Sequence, residues 1–331
     1  MKKLFALLLA LVLSLSLVLV GCNDNPGTSG TQSKNTIRIV TPDGAPTLAI
    51  YELMHSVTNL DGHPITYKIV SDAQAVNAAI LSGEADIAVM PTNVAAKLYN
   101  NGVDIKLLSV NVFGVLYMIG AEALSSPSDL VGKVVALTGQ AGTPDITLRL
   151  ILDRNNIEYV ESETAVDGKV ALRYFSGGPN VIAQLKTGKA DYGVLGEPAV
   201  TGALLKTGGQ IVMNLQDVWE SYIGEDTFTQ AGIVVKSSVY NDNGLIAALN
   251  EKLTSNLTYV YDNASTIKDT FARYESSIAI NFTSEVLNRC NLRHETASQI
   301  KAKLELYYQA ILDYDAKFIG GKLPDDGFYL M

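Results

Sequence analysis

The sequence predicts an α/β protein of two lobes, each a parallel sheet covered by helices, with a cleft between the lobes and two crossings of the chain. Three observations carry this reading: an internal repeat, a pair of matching strand-loop-helix openings, and two strand-like segments that join the halves.

The repeat lies in the middle of the chain. LSGEADIAVMPTNVAAKL, residues 81–98, aligns with KTGKADYGVLGEPAVTGAL, residues 186–204. At a constant spacing of 105, Gly83, Ala85, Asp86, Val89 and Met90 match Gly188, Ala190, Asp191, Val194 and Leu195. Val76, Ala78 and Ile80 match Val181, Ala183 and Leu185 in the same register, and the apolar stretch 67–70 matches 172–175. Each copy reads as strand, loop, amphipathic helix, glycine turn and short apolar strand. That order is a βαβ unit, whose parallel strands are buried on both faces.

A second correspondence precedes each copy. IRIVTPDGAPT, residues 37–47, is similar to VVALTGQAGTP, residues 134–144. Both are an apolar strand ending in Thr, a glycine-containing loop and a helix start. Pro46 and Pro144 suit the first helical turn, where a missing N–H costs little. Leu48, Ile50, Tyr51 and Met54 continue one helix; Ile146, Leu148, Leu150, Ile151 and Leu152 continue the other. In open parallel sheets, ligands bind at the carboxyl ends of the strands, where loops feed helix N-termini. Two lobes face to face therefore put four such loops around one cleft.

Residues 105–120 and 229–239 read as the strands that link the halves, the second returning the chain to the first lobe. Residues 245–312 show helical periodicity and are expected to pack on the first lobe. The lobes are placed at 36–112 plus 230–331, and at 113–229.

The N-terminus carries an address. Lys2 and Lys3 precede an apolar run, residues 4–20, that ends in Leu19-Val20-Gly21-Cys22. A basic start, a short apolar stretch and small residues before a cut describe an export signal. The cysteine after the small residue resembles a bacterial lipobox, which implies a signal peptide at 1–21, lipidation of Cys22 and anchoring on the outer face of the cell membrane. The alternative is a plain transmembrane anchor, because 17 residues lie at the short end of a span. Residues 22–35 (CNDNPGTSGTQSKN) hold nothing that joins a core and suit a flexible tether.

Composition narrows the partners. The net charge is −9, or −11 once Lys2 and Lys3 leave with the signal, and no Lys/Arg-rich stripe offers itself to nucleic acid. With Cys22 taken, Cys290 is left alone, so the chain has no disulfide framework. Cys290 reads as a small buried hydrophobe. His55, His63 and His294 are too scattered to suggest a metal site.

A lipobox, a tether and two βαβ lobes crossed twice by the chain resemble the type II periplasmic-binding-protein fold. The strand followed by Pro42-Asp43-Gly44-Ala45-Pro46-Thr47, the phrase Gly83-Glu84-Ala85-Asp86, and Gly188-Lys189-Ala190-Asp191 before Glu197-Pro198 narrow the likeness. They are similar to the substrate-binding proteins of ABC importers for thiamine pyrimidine precursors, alkanesulfonates and nitrate. The resemblance implies a monomer that binds a small organic molecule between its lobes, needs no cofactor, and presents its closed form to a permease and its ATPase. It implies ligand contacts from Asp43, Gly44, Ala45 and Thr47, from Thr92 and Asn93, from Gly139, Gly142 and Thr143, from Glu197, and from Asn111 and Phe113 at a crossing.

Each residue also has a plainer reading. Gly44, Gly139 and Gly142 make turns; Asp43 caps the helix beginning at Pro46; Thr92 and Asn93 cap another. Ser176, between a strand and a helix, either meets a ligand or closes a turn. Trp219 and Tyr222 form either an aromatic wall of the second lobe or a surface loop. Asp86 and Asp191 sit at strand starts, away from the carboxyl ends, and read as structural. The candidate loops contain Asp43 and Glu197 and no Lys or Arg, which favours a neutral or weakly basic flat ligand of the pyrimidine kind over a sulfonate.

Two other functions share these features. A sensor that shows its closed form to a receptor has the same signal and lobes. An enzyme on this fold is disfavoured, because no G-x-S-x-G, Walker, G-x-G-x-x-G or H-E-x-x-H motif is present.

Overall fold

The computed structural model describes residues 34–331, so the signal peptide, Cys22 and nearly all of the tether lie outside the described residues. The chain first lays down β1 (Ile37–Pro42), β2 (Asn59–Leu60), β3 (His63–Val70), β4 (Ile87–Pro91) and β5 (Ile105–Val112). It then forms β6 (Leu116–Gly120), β7 (Val134–Thr138), β8 (Tyr159–Glu161), β9 (Val170–Phe175), β10 (Tyr192–Gly196) and β11 (Gln210–Asn214). It returns with β12 (Ala231–Lys236) and β13 (Leu292–Thr296). Among the described residues these make two sheets, ordered β13-β5-β12-β4-β1-β3-β2 and β11-β6-β10-β7-β9-β8.

The repeat spacing reappears as sheet register. In the first sheet β1 lies between parallel neighbours, with Ile39 opposite Tyr67 of β3 and Ile87 of β4. In the second, β7 lies between β9 and β10, with Val135 opposite Leu172 and Tyr192. Tyr67 and Leu172, like Ile87 and Tyr192, are 105 residues apart and hold equivalent places. Arg38 apart, these central strands are largely apolar, as parallel strands covered on both faces are. Full burial of each Val, Leu or Ile contributes about 1.5–3 kcal/mol.

The twice-written Gly-x-Ala-Asp phrase has a physical account. Gly83 closes helix Ala73–Ser82 with φ 75°, and Gly188, after helix Gly178–Lys186, has φ 66°. Left-handed backbone of this kind costs glycine no side-chain clash. Ala85 and Ala190 are buried beneath the turn. Asp86 then exchanges hydrogen bonds with Arg38: its N–H donates to the Arg38 carbonyl at 2.9 Å and its Oδ2 accepts the Arg38 N–H at 3.0 Å. Asp191 does the same with Val134, at 2.9 and 2.7 Å. Each aspartate thus fastens the central parallel strand of its lobe, β1 or β7, at the end opposite the carboxyl edge.

The chain passes between the sheets at residues 113–115 and again before β12. The two passages touch: the Gly114 N–H donates to the Phe228 carbonyl at 2.9 Å, and the Val115 N–H to Gln230 Oε1 at 3.0 Å.

The C-terminal third differs from the sequence reading in two ways. It is not wholly helical, because β13 pairs antiparallel with β5. LRHET shows no apolar alternation, so its extended form comes from the ladder offered by β5 rather than from its own pattern. Nor does all of it pack on the first lobe. Helix Asn243–Asp262 does: Asn256 accepts the Glu52 N–H at 2.8 Å and donates to the Leu48 carbonyl at 2.9 Å. Helix Ala297–Asp315 spans both lobes instead. Its Tyr307 ring lies 5.3 Å from that of Trp219, and its Tyr314 hydroxyl lies 3.3 Å from that of Tyr159.

Candidate functional site

The carboxyl ends of β1, β3, β4 and β5 share one edge of the first sheet. The registers Ala231 opposite Pro91 and Ala231 opposite Val112 put the start of β12 there too. In the second sheet, β7, β9 and β10 end together with the start of β6, where Gly196 faces Leu116. The predicted loops at Asp43, Thr92, Gly139, Ser176 and Glu197 all follow strands that end on these two edges.

The edges meet. Thr143 Oγ1 lies 3.5 Å from Asn93 Oδ1, joining the helix starts after β7 and β4, and both residues are buried. On the same side, a Cβ added to Gly139 would lie 4.0 Å from Nε2 of Gln74 in the first lobe.

Thr47 and Thr92 of the first lobe hold their loops by neutral hydrogen bonds. Thr47 Oγ1 donates to the Pro42 carbonyl at 2.9 Å, and Thr92 Oγ1 to the Thr229 carbonyl at 2.6 Å. Gly44 and Ala45 are buried where helix Ala45–Leu48 begins. Asp43 does not cap that helix. Its carboxylate accepts from Ser276 Oγ at 2.5 Å and from the N–H and Oγ of Ser277 at 2.7 Å each. It thereby fixes the segment after helix Ile267–Arg273 beside the edge. Asn111, in β5, is buried; its Oδ1 accepts from Ser109 Oγ at 2.7 Å and its Nδ2 lies 3.1 Å from His294 Nδ1. Burial lowers the pKa of His294 and favours its neutral ring.

In the second lobe, Gly142 precedes helix Thr143–Arg154, whose Asp145 reaches back over the loop. Asp145 accepts the Ala141 N–H at 2.7 Å, Arg149 Nε at 2.6 Å and the Tyr174 hydroxyl at 2.7 Å. Burial acts to lower the Arg149 pKa, but hydrogen bonds to Tyr174 and Asp145 outweigh it and raise it. Glu197 forms a similar knot at helix Ala199–Thr207. It accepts the Thr201 N–H at 3.1 Å, Thr201 Oγ1 at 2.9 Å and Arg289 Nε at 2.6 Å. Burial likewise opposes the charge on Arg289, yet Glu197 prevails and its pKa is raised. Ser176 is exposed, and its Oγ accepts from Asn180 Nδ2 at 3.1 Å.

Three further residues are committed to packing or hydrogen bonds within the protein. Phe113 is 1% exposed in the first crossing, with the Arg293 guanidinium 4.7 Å from its ring centre. Trp219 is fully buried, stacked on Phe228 at 5.3 Å, with Nε1 donating to Thr227 Oγ1 at 3.2 Å. It belongs to the apolar joint between the crossing and helix Ala297–Asp315. Tyr222 is 37% exposed, and its hydroxyl accepts from Asn155 Nδ2 at 2.8 Å, past the far end of helix Thr143–Arg154.

Sequence reasoning missed the arginines. Arg289 comes from helix Ser284–Arg289, and Arg293 pairs with Asp226 at 2.6 Å, where Lys303 joins at 2.8 Å. Lys303 and Arg293 hold the Asp226 carboxyl below its ordinary range. Only the Asp145–Arg149 and Glu285–Arg289 spacings, four residues on a helix, were visible as local pairs.

Opposed carboxyl edges, the five loops that feed helix starts on them and two crossings define a two-lobed, solute-binding type of α/β fold, the type II periplasmic class. Solved structures share it. An ABC transporter protein from Parabacteroides distasonis superposes with TM-score 0.73 at 23% identity, covering 89% of this chain and 99% of that one. The periplasmic aliphatic sulphonate binding protein of Escherichia coli gives 0.68 at 13% identity over 90% and 92%. The alkanesulfonate-binding protein of Xanthomonas axonopodis pv. citri, bound to MOPS, gives 0.60 at 14% over 89% and 96%. A comparison with curated proteins finds no match. The chain belongs to the NMT1-like family, which matches residues 68–238, from β3 to the short helix after β12.

Proposed function

We propose that this protein is the extracytoplasmic solute-binding component of an ABC importer, tethered to the membrane through lipid on Cys22 and acting as a monomer. The observation that carries the reading is the joint itself. Helix starts from both lobes converge on one seam, Asn93 meets Thr143 across it, and two crossings let the lobes separate and close. The likeness to solute-binding proteins supports it, as do rim side chains such as Asp43, Thr47, Thr92 and Glu197 that are committed to holding loops. Among the described residues no helix is long and apolar enough to cross a membrane. In this reading the lipid on Cys22 keeps the lobes at the permease.

Mechanism follows from the geometry. A ligand touching both lobes favours the closed form over the open one, and closure presents a composite surface to the permease. For cargo we propose a small, flat, neutral or weakly basic molecule of the pyrimidine-like vitamin-precursor kind. Native mass spectrometry of the purified mature protein should show a co-purified small molecule, and small-angle scattering should show compaction when 4-amino-5-hydroxymethyl-2-methylpyrimidine is added to the stripped protein. Absence of any ligand-dependent compaction would sink the closure mechanism. A neighbouring sensor-kinase gene in place of permease and ATPase genes would redirect the reading to signalling.

A further inference from the structure

We propose that the cleft excludes oxyanions because the protein fills its own oxyanion receptors, so that the transported solute is neutral or cationic; this rests on the solute-binding reading above. At two places on the rim of the second lobe where a loop feeds a helix, the same three parts come together: a backbone amide, a hydroxyl and a guanidinium. Those parts are what a sulfonate, sulfate or phosphate asks of a site. At each, the occupant is internal. Glu197 takes the Thr201 N–H, the Thr201 hydroxyl and Arg289; its own side chain is 0% exposed while that of Arg289 is 20% exposed. Asp145 takes the Ala141 N–H, the Tyr174 hydroxyl and Arg149; its side chain is 3% exposed against 25% for Arg149.

The geometry has a consequence for incoming anions. Each guanidinium is open enough to be reached, but its charge is already matched by a buried carboxylate 2.6 Å away. An arriving oxyanion meets two fixed negative groups and amides already in use, while a neutral heterocycle or a cation meets no such penalty. Asp226 removes a further pair of cations, Arg293 and Lys303, from the same joint. The fold is shared with sulfonate-binding proteins, so the discrimination lies in these side chains rather than in the architecture.

Isothermal titration of the mature protein with methanesulfonate and with inorganic sulfate tests this. The parent protein should show no saturable binding. Asp145→Asn, and Glu197→Gln combined with Glu285→Gln because Glu285 also holds Arg289 at 2.6 Å, each keep the side-chain shapes, leave one guanidinium without a carboxylate and should gain sulfate or methanesulfonate binding at least about tenfold tighter than the parent. Saturable binding of either anion by the parent overturns the proposal, and so does a folded variant that gains nothing. The two variants lie on separate helices, so one that fails to fold leaves the other decisive, and the parent titration needs neither. Anion binding by the parent would leave the solute-binding reading standing. A protein without any small-molecule ligand in native mass spectrometry would remove that reading without altering these titrations.

Discussion

Asp86 and Arg38 form a closed pair at the foot of the first lobe: Arg38 Nε and its second guanidinium nitrogen each donate to the Asp86 carboxylate at 2.9 Å, beside the Arg38 N–H at 3.0 Å. Burial by itself would raise the Asp86 pKa, but the side-chain and backbone hydrogen bonds from Arg38 outweigh it and the pKa is lowered. A carboxyl held below its unfolded value stabilises the fold above that value, about 3.9. The stabilisation is then lost as pH falls through the folded pKa. Urea melts from pH 6 to pH 2 should show Asp86→Asn less stable than the parent at pH 6, with the gap narrowing below about pH 4. A gap that stays constant across that range would show that the ionised pair is not the source.

Arg289 balances the fully buried Glu197 carboxylate at 2.6 Å. Removing one partner of such a pair leaves an uncompensated buried charge, at a cost of about 3–5 kcal/mol. Arg289→Met is therefore expected to lower the denaturant midpoint strongly, whereas Arg289→Met with Glu197→Leu should recover much of the loss. Equal losses in the single and double variants would count against the pairing.

At the first crossing, Gly114 has no room for a side chain. A Cβ there would sit 2.4 Å from Gln216 Oε1 and 2.5 Å from Phe228 Cδ1, and Phe228 is held by Trp219. Gly114→Ala should cost about 1–3 kcal/mol through overpacking. It should also shift the near-ultraviolet circular dichroism of the aromatic joint; an unchanged melt and spectrum would mean the crossing has slack.

Trp219 is the single tryptophan of the chain and is fully shielded. Its emission should be blue-shifted and poorly quenched by acrylamide in the native protein, and should move to the red in one step with loss of the lobe joint. A native emission already at the solvent-exposed position would contradict the packing against Phe228 and Tyr307.

The division between what was and was not legible follows from the range of each interaction. The Gly83 and Gly188 turns, the Asp86 and Asp191 fasteners and the βαβ order are local or repeated, so spacing alone exposed them. The rim loops were legible for the same reason, since each follows a strand whose end the pattern marks. Whether Trp219 belongs to an aromatic wall or a surface loop was not legible, because its burial depends on Tyr307, 88 residues later in the chain. β13 was missed because its extended form is imposed by β5.

The sequence by itself determined two repeated α/β units, their strand register and the edge on which strands feed loops and helix starts. Periodicity and turn chemistry act over a few residues, and the repeat doubled the signal. Only the tertiary structure decided the charge of the joint. Arg289, Arg293 and Lys303 reach Glu197 and Asp226 from far along the chain, and Asp43 is spent on Ser276 and Ser277. A count of charges in the loops shows carboxylates without partners; packing supplies the partners, because a buried charge is retained only where one meets it.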